Sequence, residues 1–301
     1  MDIKQLKFLI ALEETRHFGR AALRCHITQP TFSMRIRNLE AELDLLLVNR
    51  GQRFEGFTGA GERVLAWAHT VLAAYDGLKA EAEACRGHLI GTLRIGTVAM
   101  SGFDTMHLLN RIRVEHPEIN FELAVLPAEH ILEKLGSNTL DIGVSFIDDL
   151  DTARFDVLPL AEPGLGLLHD TRRYHFDGRN LNWQQVADLP LAVMSPGSHL
   201  RAVIDHNMCS RGLSLHPLLE ADEIYPLLQA VDSGLCCSLI PLNSDLARQN
   251  THLRLIPLLD TRPLSSLGLI KRHGSNRSPL AETCFALYQS SCSGESLRMV
   301  S

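Results

Sequence analysis

No run of 18 apolar residues occurs in the 301-residue chain, so the sequence offers no membrane-spanning helix. Its start, Met1-Asp2-Ile3-Lys4-Gln5, has no basic segment leading into an apolar one. A secretory signal is therefore not expected, and the expected location is the cytoplasm. No CxxC is present, and the seven cysteines (Cys25, Cys85, Cys209, Cys236, Cys237, Cys284 and Cys292) are odd in number. That argues against a disulfide framework and a zinc site. Most read as small buried apolar residues; Cys209 is the one thiol singled out as a redox-sensing candidate. Also missing are HExxH, GxSxG, the phosphate-binding P-loop and a complete GxGxxG. Gly164 and Gly166 are a fragment of the last, with no third glycine. The neighbouring carboxylates Asp148-Asp149 and Asp222-Glu223 would point to opposite sides of an extended chain, which suits solvation rather than catalysis. The expectation is a protein without metal, cofactor or enzymatic reaction.

What is present suits two domains, or one small unit and one large bilobed one. Hydrophobic residues make up 45 % and charged residues 21 %, enough apolar material for more than one core. The net charge of −6 argues by itself against a nucleic-acid partner, yet its distribution is uneven. Residues 1–65 hold ten Lys/Arg and eight Asp/Glu, a net of +2, which leaves −8 for the rest. A basic head on an acidic body is compatible with a DNA-binding domain joined to something else.

In the head, Ile3, Leu6, Phe8, Leu9 and Leu12 form a helical stripe, and Phe18, Ala21, Ala22 and Leu23 a second, shorter one. Cys25-His26-Ile27 reads as a turn. Thr28 is a suitable N-cap for a third helix, with Gln29 and Pro30 in its first turn. Phe32, Ile36, Leu39 and Leu43 give that helix a buried face. Gln29, Thr31, Ser33, Met34, Arg35 and Arg37 are left for the other face. Gln pairs with adenine, Arg with guanine, and Ser or Thr with bases or phosphates, so this face suits a major groove. A solvated helical face bearing a few arginines is the alternative.

The order of these residues is more specific. Phe18-Gly19-Arg20-Ala21-Ala22-Leu23, then Ile27-Thr28-Gln29-Pro30-Thr31-Phe32-Ser33, then Ile36-Arg37-Asn38-Leu39-Glu40 resembles the winged helix-turn-helix of LysR-type transcriptional regulators. Asn49-Arg50-Gly51 and Phe57-Thr58-Gly59-Ala60-Gly61-Glu62 are similar to the wing and the L-T-x-A-G signature of that family. The chain departs from the pattern at Asp44, usually Gly, at Val48, usually Phe, and at Met34, where an Arg is common. The resemblance implies a double-stranded promoter DNA partner, contacted by Thr28, Gln29, Pro30, Thr31, Ser33, Met34, Arg35, Arg37, Arg50 and Arg53.

From Gly61 to about Arg86 there is no proline and one internal glycine, Gly77. Val64, Ala68, Val71, Tyr75, Leu78, Ala82 and Cys85 recur at alternating spacings of 4 and 3, a heptad seam over about three repeats. Such a seam either packs on its own domain or joins two copies; the family resemblance implies a dimer or tetramer. Two recognition helices then reach two half-sites of one operator. Gly87 to Gly91 reads as the hinge.

Beyond residue 91, strand-like and helix-like runs alternate, which argues an α/β domain with mainly parallel sheets. Leu93-Arg94-Ile95-Gly96, Leu140-Asp141-Ile142-Gly143-Val144, Pro190-Leu191-Ala192-Val193 and Gly234 to Pro241 are similar to landmarks of the LysR-type effector domain. That resemblance implies two Rossmann-like lobes, as in periplasmic binding proteins, with a ligand cleft between them. The expected division is residues 1–58 for the DNA-binding domain, 59–91 for linker helix and hinge, and 92–301 for the effector domain. Lobe one takes 92–161 and 267–301, and lobe two 162–266. Ligands of open α/β sheets lie beyond the carboxyl ends of strands. The candidates are Thr97, Ala99, Met100, Ser101 and Gly102; Pro127 and Ala128; and Ser195, Pro196, Gly197, Ser198 and His199. Their hydroxyls and the helix N-termini they lead into favour a small anionic effector such as a carboxylate, although these serines equally suit helix capping. The remaining expected partner is RNA polymerase, if the protein activates. The rival readings are an α/β enzyme and a small-molecule binding protein with no DNA role.

Overall fold

The computed structural model describes residues 1–50, 54–86, 89–148, 150–160, 164–242, 250–263, 265–274 and 278–295, with residues 50 and 291–295 as backbone alone. Three helices, α1 (Ile3–Thr15), α2 (Phe18–Arg24) and α3 (Gln29–Leu43), precede a two-stranded antiparallel wing, β1 (Val48–Arg50) and β2 (Phe54–Phe57). Asp2 and Gln5 cap α1 reciprocally, each side chain accepting from the other's backbone N–H. The buried stripe of α3, Phe32, Ile36 and Leu39, closes on Leu6, Leu9, Leu12, Ala21 and Ala22, while Leu43 is only half-buried. Phe8 and Phe18 hold the Phe32 ring at centroid distances of 5.6 and 6.2 Å.

The helix α3 ends at Asp44, which adopts the left-handed conformation at φ 52°. That conformation is why a glycine suits this position, and a short polar side chain tolerates it. The chain between α3 and the wing is then locked from both sides. The buried Glu40 carboxylate accepts from Leu47 N–H at 3.0 Å and Val48 N–H at 3.2 Å. From the other side Thr58 donates its hydroxyl to the Leu46 carbonyl at 2.6 Å and its N–H to the Leu47 carbonyl. Thr58 also N-caps α4 (Gly59–Ala84), a 26-residue helix, by accepting from Gly61 N–H. His69 on α4 contacts Glu13 on α1 at 2.6 Å.

Two five-stranded sheets follow. The first contains β3 (Gly91–Thr97), β4 (Ile119–Val125), β5 (Ile142–Phe146), β6 (Phe155–Pro159) and β12 (Leu267–Arg272), in the order β4-β3-β5-β12-β6. Helices α5 (Thr105–Glu115), α6 (Ala128–Gly136) and α10 (Pro279–Glu295) accompany it. The second contains β7 (Leu165–Asp170), β8 (Leu191–Met194), β9 (Leu219–Ala221), β10 (Cys237–Pro241) and β11 (Leu253–Pro257), in the order β11-β7-β10-β8-β9. Its helices are α7 (Trp183–Ala187), α8 (His199–Cys209) and α9 (Ile224–Asp232). Each sheet has its own buried core, built on Leu93, Ile95, Ile142 and Leu269 in one and Leu167, Ala192, Ile204 and Leu239 in the other.

Four of the five strands in each sheet run in the same direction, as the mainly parallel expectation has it, and one strand in each is reversed. β3 pairs in parallel with β4 and β5, and β8 with β9 and β10. The strands β12 and β7 pair antiparallel with both of their neighbours. They are the strands on which the chain arrives from the opposite sheet. A chain that leaves one sheet at its carboxyl edge and enters the next at that sheet's carboxyl edge must run antiparallel there. The strand directions therefore place both carboxyl edges toward each other.

Candidate nucleic-acid interface and interlobe cavity

Thr28 caps α3 by accepting from Thr31 N–H at 3.4 Å, and its hydroxyl lies 2.9 Å from that of Thr31. Gln29, Pro30, Met34, Arg35 and Arg37 are exposed, whereas Thr31 and Ser33 are half-buried. With about 100° between successive residues, Pro30, Arg37, Asn38 and Ala41 all fall within about 60° of Met34. Asn38, exposed beside Met34, was not among the sequence-derived candidates; its polar side chain on the outer face was the available signal. The Gln29 amide turns toward α2, where its Oε1 lies 3.4 Å from the place a Cβ on Gly19 would take. His17 caps α2, its Nδ1 accepting from Gly19 N–H at 3.0 Å and Arg20 N–H at 3.3 Å. The side chain of Arg50 and all of Arg53 lie outside the described residues.

The heptad stripe of α4 divides between two surroundings. Ala68 is 1 % exposed and Val64 half-buried, both packed into the three-helix core. Val71, Leu78 and Ala82 are exposed and Tyr75 is half-buried. The largest exposed apolar side chain on the helix, Trp67 at 71 %, was not in the expected seam. Val71, Ala74, Leu78 and Cys85 fall within about 40° of Trp67 around the helix, and all four are exposed. The outward stripe is thus rotated from the heptad reading, because the first turns of α4 give their seam positions to the head.

At the facing carboxyl edges the two lobes meet around a cavity of about 140 Å³. Its walls include Met100, Phe146, Leu165, Leu200, Val203, Pro241 and Leu267, with Ser101, His199, Thr261 and Ser265 as the polar members. Of the sequence-derived candidates, Met100, Ser101 and His199 line it. Thr97 stands one contact behind, its hydroxyl 3.5 Å from that of Ser101. Ser101 accepts from Phe103 N–H, and Ser198 caps α8 by accepting from Arg201 N–H at 3.2 Å. Ala99, Gly102, Pro127, Ala128, Ser195, Pro196 and Gly197 do not line the cavity. Met100 holds a positive φ of 52° and packs against the core of the second lobe.

Phe146, at the carboxyl end of β5, closes the gap by stacking on His199 with centroids 3.8 Å apart and planes 27° apart. Burial pushes the imidazole below its usual range, with Asp148 opposing it. His199 Nε2 is buried with no hydrogen-bond partner among the described residues. Sequence alone gave no signal for Phe146, whose ring partner lies far along the chain in the other lobe. Cys209 is exposed at the far end of α8, about 15 Å from His199 along the helix. Burial pushes the Cys237 and Cys284 thiols up to about 12, which keeps them protonated at neutral pH.

Two family models match the chain. The bacterial regulatory helix-turn-helix protein, lysR family, covers residues 3–62, and the LysR substrate binding domain covers residues 86–293. The chain is 29 % identical over 280 residues to the DNA-binding transcriptional dual regulator OxyR of Escherichia coli K12, covering 91 % of this chain and 90 % of that protein. It is 30 % identical over 286 residues to the HTH-type transcriptional regulator EstR of Acinetobacter baylyi, covering 90 % of each. Among solved structures, full-length CbnR complexed with its target DNA superposes with a TM-score of 0.73 at 20 % identity, covering 95 % of this chain and 98 % of that one. A full-length OxyR variant from Pseudomonas aeruginosa gives 0.69 at 22 %, covering 95 % and 96 %.

Proposed function

The chain belongs to the lysR family of DNA-binding transcriptional regulators, and from that premise we propose how its parts divide the work. Residues 1–58 read promoter DNA, 59–91 pair two copies and carry the hinge, and 92–301 sense a small molecule. Within the sensor, 92–161 with 267–301 form lobe one and 162–266 form lobe two. The protein acts in the cytoplasm as a regulator, not an enzyme, and engages RNA polymerase where it activates. The observation that carries the DNA reading is the capped, arginine-bearing outer face of α3 above its buried Phe32/Ile36/Leu39 stripe. Thr28, Gln29, Pro30, Thr31, Ser33, Met34, Arg35, Arg37, Arg50 and Arg53 form the proposed contact set. Replacing Arg37 with Ala is expected to weaken binding to the gene's own upstream region by about 1–3 kcal/mol if it reads a base. A gel-shift titration checks this, and unchanged affinity removes Arg37 from the set.

The effector is assigned to the interlobe cavity, which brings Met100, Ser101 and His199 together at the carboxyl edges. Its apolar wall suits an apolar body. The nearby hydroxyls of Thr97, Ser101, Ser195 and Ser198 and the start of α8 suit a small carboxylate or other anionic head. Binding there changes the angle between lobes only through different affinities for the two arrangements. Substituting Ser101 with Trp places an indole in the cavity. The expected result is operator binding with no transcriptional response to any member of a metabolite panel that moves the wild type. A Ser101→Trp protein that responds like wild type would place the effector elsewhere.

A further inference from the structure

The outer face of α3 is centred on an apolar side chain. Met34 is 51 % exposed, with Pro30, Arg37, Asn38 and Ala41 around it, all four exposed. The polar candidates near it are drawn aside. The Thr31 hydroxyl faces the Thr28 cap, Ser33 is half-buried, and the Gln29 amide lies toward Gly19. Met34 therefore stands in the middle of the face that carries Arg37, between the small side chains of Pro30 and Ala41. A thioether has no donor and is a weak acceptor, so it cannot hold a phosphate or read a polar base edge. Its three rotatable bonds let it follow an apolar surface. On the major-groove edge the C5-methyl of thymine is the apolar group, distinct from every donor and acceptor around it.

Resting on the reading of α3 as the base-reading helix, we propose that Met34 contacts the C5-methyl of a thymine and fixes one T·A pair in each half-site. Arg37 and its neighbours position the helix and read polar edges, and Met34 adds a methyl-specific position.

The test uses the full chain and duplexes it selects from a randomised library. Each thymine of the selected half-site is exchanged singly for deoxyuridine, which removes one methyl and leaves every hydrogen-bonding group in place. Wild type is expected to lose about four-fold at one position per half-site, the worth of one methyl group removed from water. Met34→Ala is expected to show no methyl dependence there, and Met34→Leu to keep it. With cytosine at that position, 5-methylcytosine is expected to bind about four-fold tighter than cytosine. The proposal is overturned if no exchange costs wild type two-fold, or if the dependence survives in Met34→Ala. Selection that succeeds, with Arg37→Ala weakening binding but no methyl effect, rejects Met34 alone. A chain that enriches no sequence rejects the α3 reading and this proposal with it.

Discussion

Replacing Gly61 with Ala is expected to lower the melting of the DNA-binding head by about 5–15 °C, although alanine is the better helix former. Gly61 lies in the first turn of α4, where α4 crosses the segment between α3 and the wing. A Cβ there would fall on the Leu47 carbonyl oxygen, far inside van der Waals contact, and 2.9 Å from its carbonyl carbon. The obstacle is backbone, and that backbone cannot drift. Glu40 holds Leu47 N–H and Val48 N–H, and Thr58 holds the carbonyls of Leu46 and Leu47. Either α4 or this clamp has to move, and overpacking of that kind costs roughly 1–3 kcal/mol or more. The gain in helix propensity, at most about 1 kcal/mol, offsets only part. A small domain loses about 4–8 °C per kcal/mol. Gly59→Ala is the control, since its Cβ would meet only the end of Arg63, at 3.9 Å. Calorimetry of the full-length variants separates the two; equal melting would mean the crossing is compliant.

The same residues show why the head was legible in sequence. Every element there is local: Thr28 caps the helix it precedes, and Phe32, Ile36 and Leu39 repeat at helical spacing. Glu40 reaches a segment only seven residues ahead. The structure adds a reason for the T-x-A-G pattern, which combines a cap at Thr58 with the close approach at Gly61. The alternation of strands and helices beyond residue 91 was equally readable. The direction of β7 and β12 was not, because it depends on the chain changing sheets. The cavity was legible only where a wall residue follows its own strand, as Met100 and His199 do. Phe146, Leu165, Pro241 and Leu267 come from strand ends far apart in sequence, and nothing in their own neighbourhoods marks them. The α4 seam was half legible. A heptad spacing tells which residues share a face, but not whether that face meets its own domain or another copy.

That division sets the second large effect. Leu78→Lys is expected to leave the head folded and to convert the protein to monomers, with operator affinity falling about 100-fold or more. Leu78 is 67 % exposed in the protomer and lies about three turns beyond Trp67 on the same stripe, a span of about 16 Å. A lysine in its place is solvated in one copy, so the protomer tolerates it. In a paired stripe each copy would bury an unpartnered charge, which is far more costly than the packing it replaces. Two linked heads bind two half-sites with a gain of about 10²–10⁴ over one head, and the monomer forfeits that gain. Ala68→Glu is the contrasting variant, because Ala68 belongs to the core of the head. Its charge is expected to lower the melting temperature as well as operator binding, whereas Leu78→Lys should reduce binding alone. Light scattering gives the mass of each protein and a gel shift its affinity. A monomeric wild type, or a Leu78→Lys protein that remains dimeric and binds its operator as wild type does, would show that the Trp67–Leu78 stripe pairs with nothing.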